Sequence, residues 1–134
     1  MEGIMKKKLL SLLLIVFCIL FGGFGILYDG LYGNPFRDYL MKNDTMRYLN
    51  DIGYTKNDLL SVRTNYSMKI NSDKVKGTLA KVTFKDEPQD TYIYFQQNSN
   101  QKIIQACDYL DGHIMKNNYT PERKHMLKNC KSIY

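Results

Sequence analysis

The sequence predicts an α+β protein: an N-terminal transmembrane helix, then a helix packed on a four-stranded antiparallel sheet, with a short C-terminal helix. Three observations predict it. Residues 9–28 read LLSLLLIVFCILFGGFGILY and hold no charge. Residues 34–53 carry the capping and spacing signals of a single amphipathic helix. From residue 60 onward, alternating or β-favouring runs recur between turn signals.

The apolar run comes first. At about 1.5 Å of rise per residue, a helix of this length crosses the roughly 30 Å hydrocarbon core of a bilayer. Lys6, Lys7 and Lys8 stand directly before it. Basic residues stay on the cytoplasmic side, so the N-terminus is expected inside and the remainder outside. The run is longer than the apolar region of a signal peptide. Its one small-x-small triplet, Gly23-Phe24-Gly25, is followed by more apolar residues. An uncleaved anchor is therefore expected, and a cut near Gly25 is the alternative. Cys18 lies mid-run behind Phe17, which does not suit a lipoprotein signal. The expected organisation is a cytoplasmic basic start at 1–8, a membrane-lipid anchor at 9–28, a linker at 29–34 and an extracellular domain at 35–134.

The outer domain opens with Asn34-Pro35. Asn34 can cap free N–H groups, and Pro35 at the first helical position loses no bond. The helix is predicted over 36–51, stopped by Gly53, with Phe36, Tyr39, Leu40, Met46 and Leu49 as its apolar stripe. Residues 54–58 form a turn. Leu60, Val62, Thr64, Tyr66, Met68 and Ile70 then alternate with polar residues, which predicts a strand with one wet face. A second strand is predicted over 75–85, with a bulge near Ala80-Lys81 where the apolar parity changes. Residues 86–90 close a hairpin, Thr91 to Phe95 is a third strand, and 102–107 a fourth. Thr120 and Pro121 start a short helix over 121–131.

Charge excludes little. The net charge is +6 over 134 residues. After residue 28 the balance is 16 Lys+Arg against 12 Asp+Glu, read off the sequence. This mild excess is scattered, with no basic block interleaved with stacking aromatics, so no nucleic-acid partner is expected. No Gly-rich phosphate loop and no nucleophile elbow is present. Neither an enzyme nor a cofactor is expected.

Four groups carry any chemistry. Cys107 and Cys130 can close a loop of about 24 residues outside the membrane, worth roughly 3 kcal/mol in the chain-entropy model; two separately buried thiols are the alternative. Cys107, His113, His125 and Cys130 are zinc-type ligands at unusual spacings. Asp86 and Glu87 are adjacent on a turn, with no pocket evident to part their acidities. Tyr92 and Tyr94 share one strand parity in a chain with eleven tyrosines and no tryptophan. They form either an exposed interaction face or a cross-strand packing pair.

Several stretches together carry a family resemblance. They are the basic start and single span, Gly33-Asn34-Pro35-Phe36, Tyr48-Leu49-Asn50-Asp51-Ile52-Gly53-Tyr54, and Asp58 opening a strand. Val82 to Pro88, a tyrosine-rich strand and Lys102-Ile103-Ile104-Gln105 complete the set. Over residues 6–105 the chain resembles small single-span membrane proteins of Gram-positive bacteria grouped as a domain of unknown function, akin to the YfjL-like proteins. The resemblance implies a membrane-tethered outer domain, a helix on a curved antiparallel sheet, and lends no activity. The tail with Cys107 and Cys130 departs from the pattern, so nothing carries over there.

The function expected from these readings is a membrane-anchored, non-enzymatic interaction or accessory module. Its partner would be an envelope protein or a cell-wall component. A secreted inhibitor or immunity-type protein released by signal cleavage is the alternative.

Overall fold

A computed structural model describes residues 1–117 and 119–133, without the side chain of Glu2. The chain divides into two units, Met1–Tyr32 and Gly33–Tyr134.

The first unit is helix α1 (Glu2–Tyr32), 31 residues without a break. Its best window has a mean hydropathy of 2.7, and among the described residues it is the one candidate long and apolar enough to cross a membrane. Apolar side chains point outward all round it, which a water-facing helix does not do. Asp29 and Gly30, expected in a linker, belong to its last turns. The helix ends where Gly33 takes a positive φ of 81°.

The second unit holds helix α2 (Pro35–Asp51) and strands β1 (Leu59–Tyr66), β2 (Thr78–Phe84), β3 (Glu87–Gln96), β4 (Ile103–Asp111) and β5 (Ile114–Lys116). Asn34 Oδ1 accepts the Phe36 N–H at 2.8 Å, as its capping role requires. At the other end Tyr54 N–H donates to Leu49 O and Gly53 N–H to Asn50 O. With Gly53 at φ 102°, this is a Schellman stop. The predicted stripe holds only at its C-terminal end: Leu49 is buried and Met46 packs against the core, whereas Phe36, Tyr39 and Leu40 are exposed and Met41 and Thr45, one turn apart before Leu49, are buried instead. Local spacing located the helix, but the sheet selects which side it covers.

The sheet has five strands rather than four, in the order β1-β2-β3-β4-β5, all antiparallel. The added strand β5 returns through Gly112, at φ 60°. No bulge lies at Ala80-Lys81, where the register runs unbroken against both neighbours. The parity change there has another cause: β2 and β3 are covered on both faces. Ala80, Val82, Phe84, Tyr92 and Tyr94 face α2 and the chain end, while Leu79, Ile93, Phe95 and Ala106 form a second core on the opposite face. The register does shift between Leu59 and Ser61, which leaves Leu60 57% exposed. The β2–β3 turn is tighter than expected: Phe84 pairs with Glu87 and only Lys85 and Asp86 lie between.

The predicted C-terminal helix over 121–131 is absent. Successive turns replace it, with Arg123 N–H donating to Thr120 O, Met126 to Arg123 O and Cys130 to Leu127 O. The reason is a set of anchors that a helix cannot satisfy. The side chain of Gln105, buried in the core, donates to His125 O at 2.8 Å and accepts from Leu127 N–H at 2.6 Å. Lys131 then pairs in parallel with Ala106 at the open edge of β4.

Candidate functional site

Cys107 and Cys130 are joined by a disulfide, Cα–Cα 5.0 Å, across 23 residues of chain. β4 presents Cys107 through a widened register. Tyr92 opposes Tyr109 and Tyr94 opposes Gln105, so three residues of β4 face Ile93 alone. The extra pair bends the strand toward the returning chain.

Tyr92 and Tyr94 are fully buried, so they form no exposed interaction face. Tyr92 packs edge-on to Phe84, and Tyr94 edge-on to Tyr48. The Tyr92 hydroxyl donates to Glu87, and Gln105 Nε2 donates to the Tyr94 hydroxyl at 3.0 Å. Burial is the main cause pushing both phenols above their ordinary range.

The four zinc-type ligands do not come together. Cys107 and Cys130 are spent on each other, and His113 sits exposed in the β4–β5 turn. Among the described residues no group of three His, Cys, Asp or Glu side chains is arranged to hold a metal ion.

His125 instead enters a chain that sequence reading missed. Tyr54 Oη lies 2.8 Å from His125 Nδ1, and His125 Nε2 lies 2.8 Å from Asp86 Oδ1. Lys124 Nζ bonds the other oxygen of Asp86. The imidazole is 7% exposed and stacks on Phe84. The residues come from the α2 exit, the β2–β3 turn and the C-terminal segment, and no spacing rule links them. A hollow of about 360 Å³ opens beside them, lined also by Asn57, Asp58 and Lys85.

A tyrosine–histidine–aspartate chain has the connectivity of a nucleophile, a base and an orienting carboxylate. Its electrostatics run the other way. Burial, followed by the Asp86 charge, pushes Tyr54 up, so its hydroxyl holds its proton more firmly than a free phenol. Hydrogen bonds from Lys124 and then His125 hold Asp86 at about 2. Each polar atom of the chain has a partner within the fold. The arrangement fastens the C-terminal segment over the edge of the core.

The second concave feature is a cleft of about 460 Å³ between α2, the loop after β1 and the β3–β4 turn. Met41 forms its apolar floor and Leu40 its rim; Arg37, Asp44, Asn71, Asn98 and Gln101 line its walls. Lys76 Nζ donates to Gln96 Oε1 at 2.7 Å and also to Gln101 Oε1. Gln96 Nε2 donates to Gln101 O at 2.7 Å and to Asp44 Oδ2 at 3.3 Å. Gln101 is held at φ 58°, rare for a residue with a side chain. The far wall requires Gly77: a Cβ there would lie 2.7 Å from Asn71 Cβ and 2.8 Å from Tyr66 Cε2. The cleft therefore offers fixed amide donors and acceptors, one ammonium, one guanidinium and one carboxylate over an apolar floor. Such a lining matches the chemistry of a peptide backbone or a saccharide. No single motif could have revealed it, because its residues come from a helix, a loop and a turn far apart in the chain.

The model of a family described as a protein of unknown function (DUF3139) matches residues 5–94. The chain belongs to that family. In this DUF3139 protein the matched stretch covers most of α1, then α2, β1, β2 and most of β3, and so the cleft's sides from α2 and the loop after β1 but not its β3–β4 turn. Gln105, Cys107, His125 and Cys130 lie beyond the matched residues, as does the Lys102–Gln105 part of the resemblance. No curated protein and no solved structure matches the chain.

Proposed function

We propose that this protein is a single-pass membrane protein of the Gram-positive envelope, akin to the YfjL-like proteins. Its N-terminus is cytoplasmic and its Gly33–Tyr134 unit lies outside the cell. The outer unit binds an envelope protein or a cell-wall component through the cleft and catalyses no reaction. One observation carries the binding reading: the cleft wall is pre-ordered by its own hydrogen bonds, through Lys76, Gln96 and Gln101, around a floor that stays open. The non-enzymatic reading is supported by Tyr54, whose hydroxyl is pushed away from the acidity a nucleophile needs. Retention of α1 as an anchor is supported by the length of its apolar run and by the further apolar residues that follow Gly23-Phe24-Gly25.

The test is site-specific photocrosslinking in intact cells. The tagged full chain carries the photoreactive residue at Asn98, on the cleft, or at Ile114, exposed on β5. A recurrent adduct from Asn98 and none from Ile114 supports the reading. Equal adducts from both positions, or none, remove the cleft as the binding site. Intact mass of the same protein tests release: a species beginning after Gly25 excludes the anchor.

A further inference from the structure

Helix α2 leaves three large apolar residues outside its own core. Phe36, Tyr39 and Leu40 are 64%, 62% and 43% exposed. They sit at i, i+3 and i+4, on the side of α2 roughly opposite the buried Met41, Thr45 and Leu49. The same side continues toward the C-terminus as Asn43, Arg47 and Asn50, all exposed. One helix face thus changes from apolar to polar within about two turns.

The apolar end is the one tied to α1. Only Gly33 and Asn34 separate the last residue of α1 from the first of α2. Gly33 is itself fixed: a Cβ there would lie 2.7 Å from Tyr66 Cβ. The chain from Tyr32 to Phe36 spans at most about 14 Å, so a bilayer holding α1 lies within reach of Phe36. A graded face of this kind suits the lipid interface, where aromatic rings sit at headgroup level and apolar side chains enter about 5–10 Å.

We infer that the face formed by Phe36, Tyr39 and Leu40 seats the first turns of α2 in the outer lipid interface, with phospholipid as its occupant. This rests on the anchor reading of α1. Because Leu40 also rims the cleft, the seat brings the cleft mouth to the membrane surface. A ligand there would be met at the headgroups rather than in free solution.

The absence of tryptophan makes the test direct. The full chain is reconstituted in vesicles of phosphatidylcholine and phosphatidylglycerol, with or without bromine in the acyl chain near the headgroup. Single tryptophans replace Phe17 in α1, Phe36 or Tyr39 on the proposed face, and Leu60, which is 57% exposed on β1. The expected result is a loss of emission at Phe36→Trp and Tyr39→Trp in brominated vesicles and none at Leu60→Trp. Deeper bromines quench Phe17→Trp. Quenching at Phe17→Trp with none at Phe36→Trp overturns the seat and leaves the anchor standing. Equal quenching at Leu60→Trp overturns the choice of face. No quenching at Phe17→Trp removes the anchor, and the seat with it.

Discussion

The imidazole of His125 stacks on the ring of Phe84, centroids 3.8 Å apart and 16° from coplanar. This contact sets the C-terminal segment on the β2–β3 hairpin and aims the ring nitrogens at Tyr54 and Asp86. Asp86 is held at about 2, below its ordinary 3.8, by Lys124 first and His125 second. A carboxylate whose pKa is lowered in the fold stabilises above its ordinary pKa and loses that contribution as pH falls through the lowered one. Thermal unfolding of the wild type should therefore weaken between about pH 4 and pH 2. Asp86→Asn should start lower at neutral pH and respond less across that window. Parallel curves for the two proteins would show that Asp86 does not hold the segment.

The disulfide fastens the same segment from its other side. Replacing both Cys107 and Cys130 by serine should cost roughly 3 kcal/mol, measured by urea unfolding. Limited proteolysis of the native variant should cut within 119–133 before it touches β2 or β3, because the sheet ladders do not depend on the bridge.

Gln105 is the third fastening, and it is 1% exposed. Gln105→Met conserves volume but leaves His125 O, Leu127 N–H and the Tyr94 hydroxyl without their partner. Unsatisfied buried groups cost about 1–3 kcal/mol each, so a loss of several kcal/mol in urea unfolding is expected. A change below about 1 kcal/mol would mean that water replaces the amide.

Asp90 predicts a change of opposite sign. Its side chain is fully buried on Arg123, with Oδ1 lacking a hydrogen-bond partner. Burial raises its pKa above 3.8, with the Arg123 charge opposing that shift and Glu87 adding to it. An acid raised in the fold favours folding while protonated and loses that contribution as pH rises. Asp90→Asn should be more stable than wild type at pH 7, with the gain fading below about pH 4 in thermal unfolding. Arg123→Ala should be destabilising at neutral pH, because it leaves a buried carboxylate without its counter-ion.

The legible parts of the sequence were those governed by near neighbours. Asn34, Pro35 and Gly53 marked α2 because capping bonds reach only a few residues. Cys107 and Cys130 were legible as a pair but not as a certainty, since spacing alone does not bring two thiols together. The Tyr54–His125–Asp86 chain was not legible, because 71 residues separate the two rings along the chain. The cleft was hidden for the same reason.

The sequence by itself determined that a charge-free helix precedes a capped amphipathic helix and a run of β-favouring segments. Backbone preference and hydrophobic periodicity are local properties, so they survive without a partner. Only the tertiary structure decided which side of α2 is inside, that β2 and β3 are covered on both faces, and that 121–131 is held in turns. Those outcomes depend on what each surface meets. Tyr92 and Tyr94 pass from a possible binding face to a buried core because α2 and the C-terminal segment close over them. Helix propensity in the tail yields because Gln105 and the disulfide offer bonds that a free helix cannot reach.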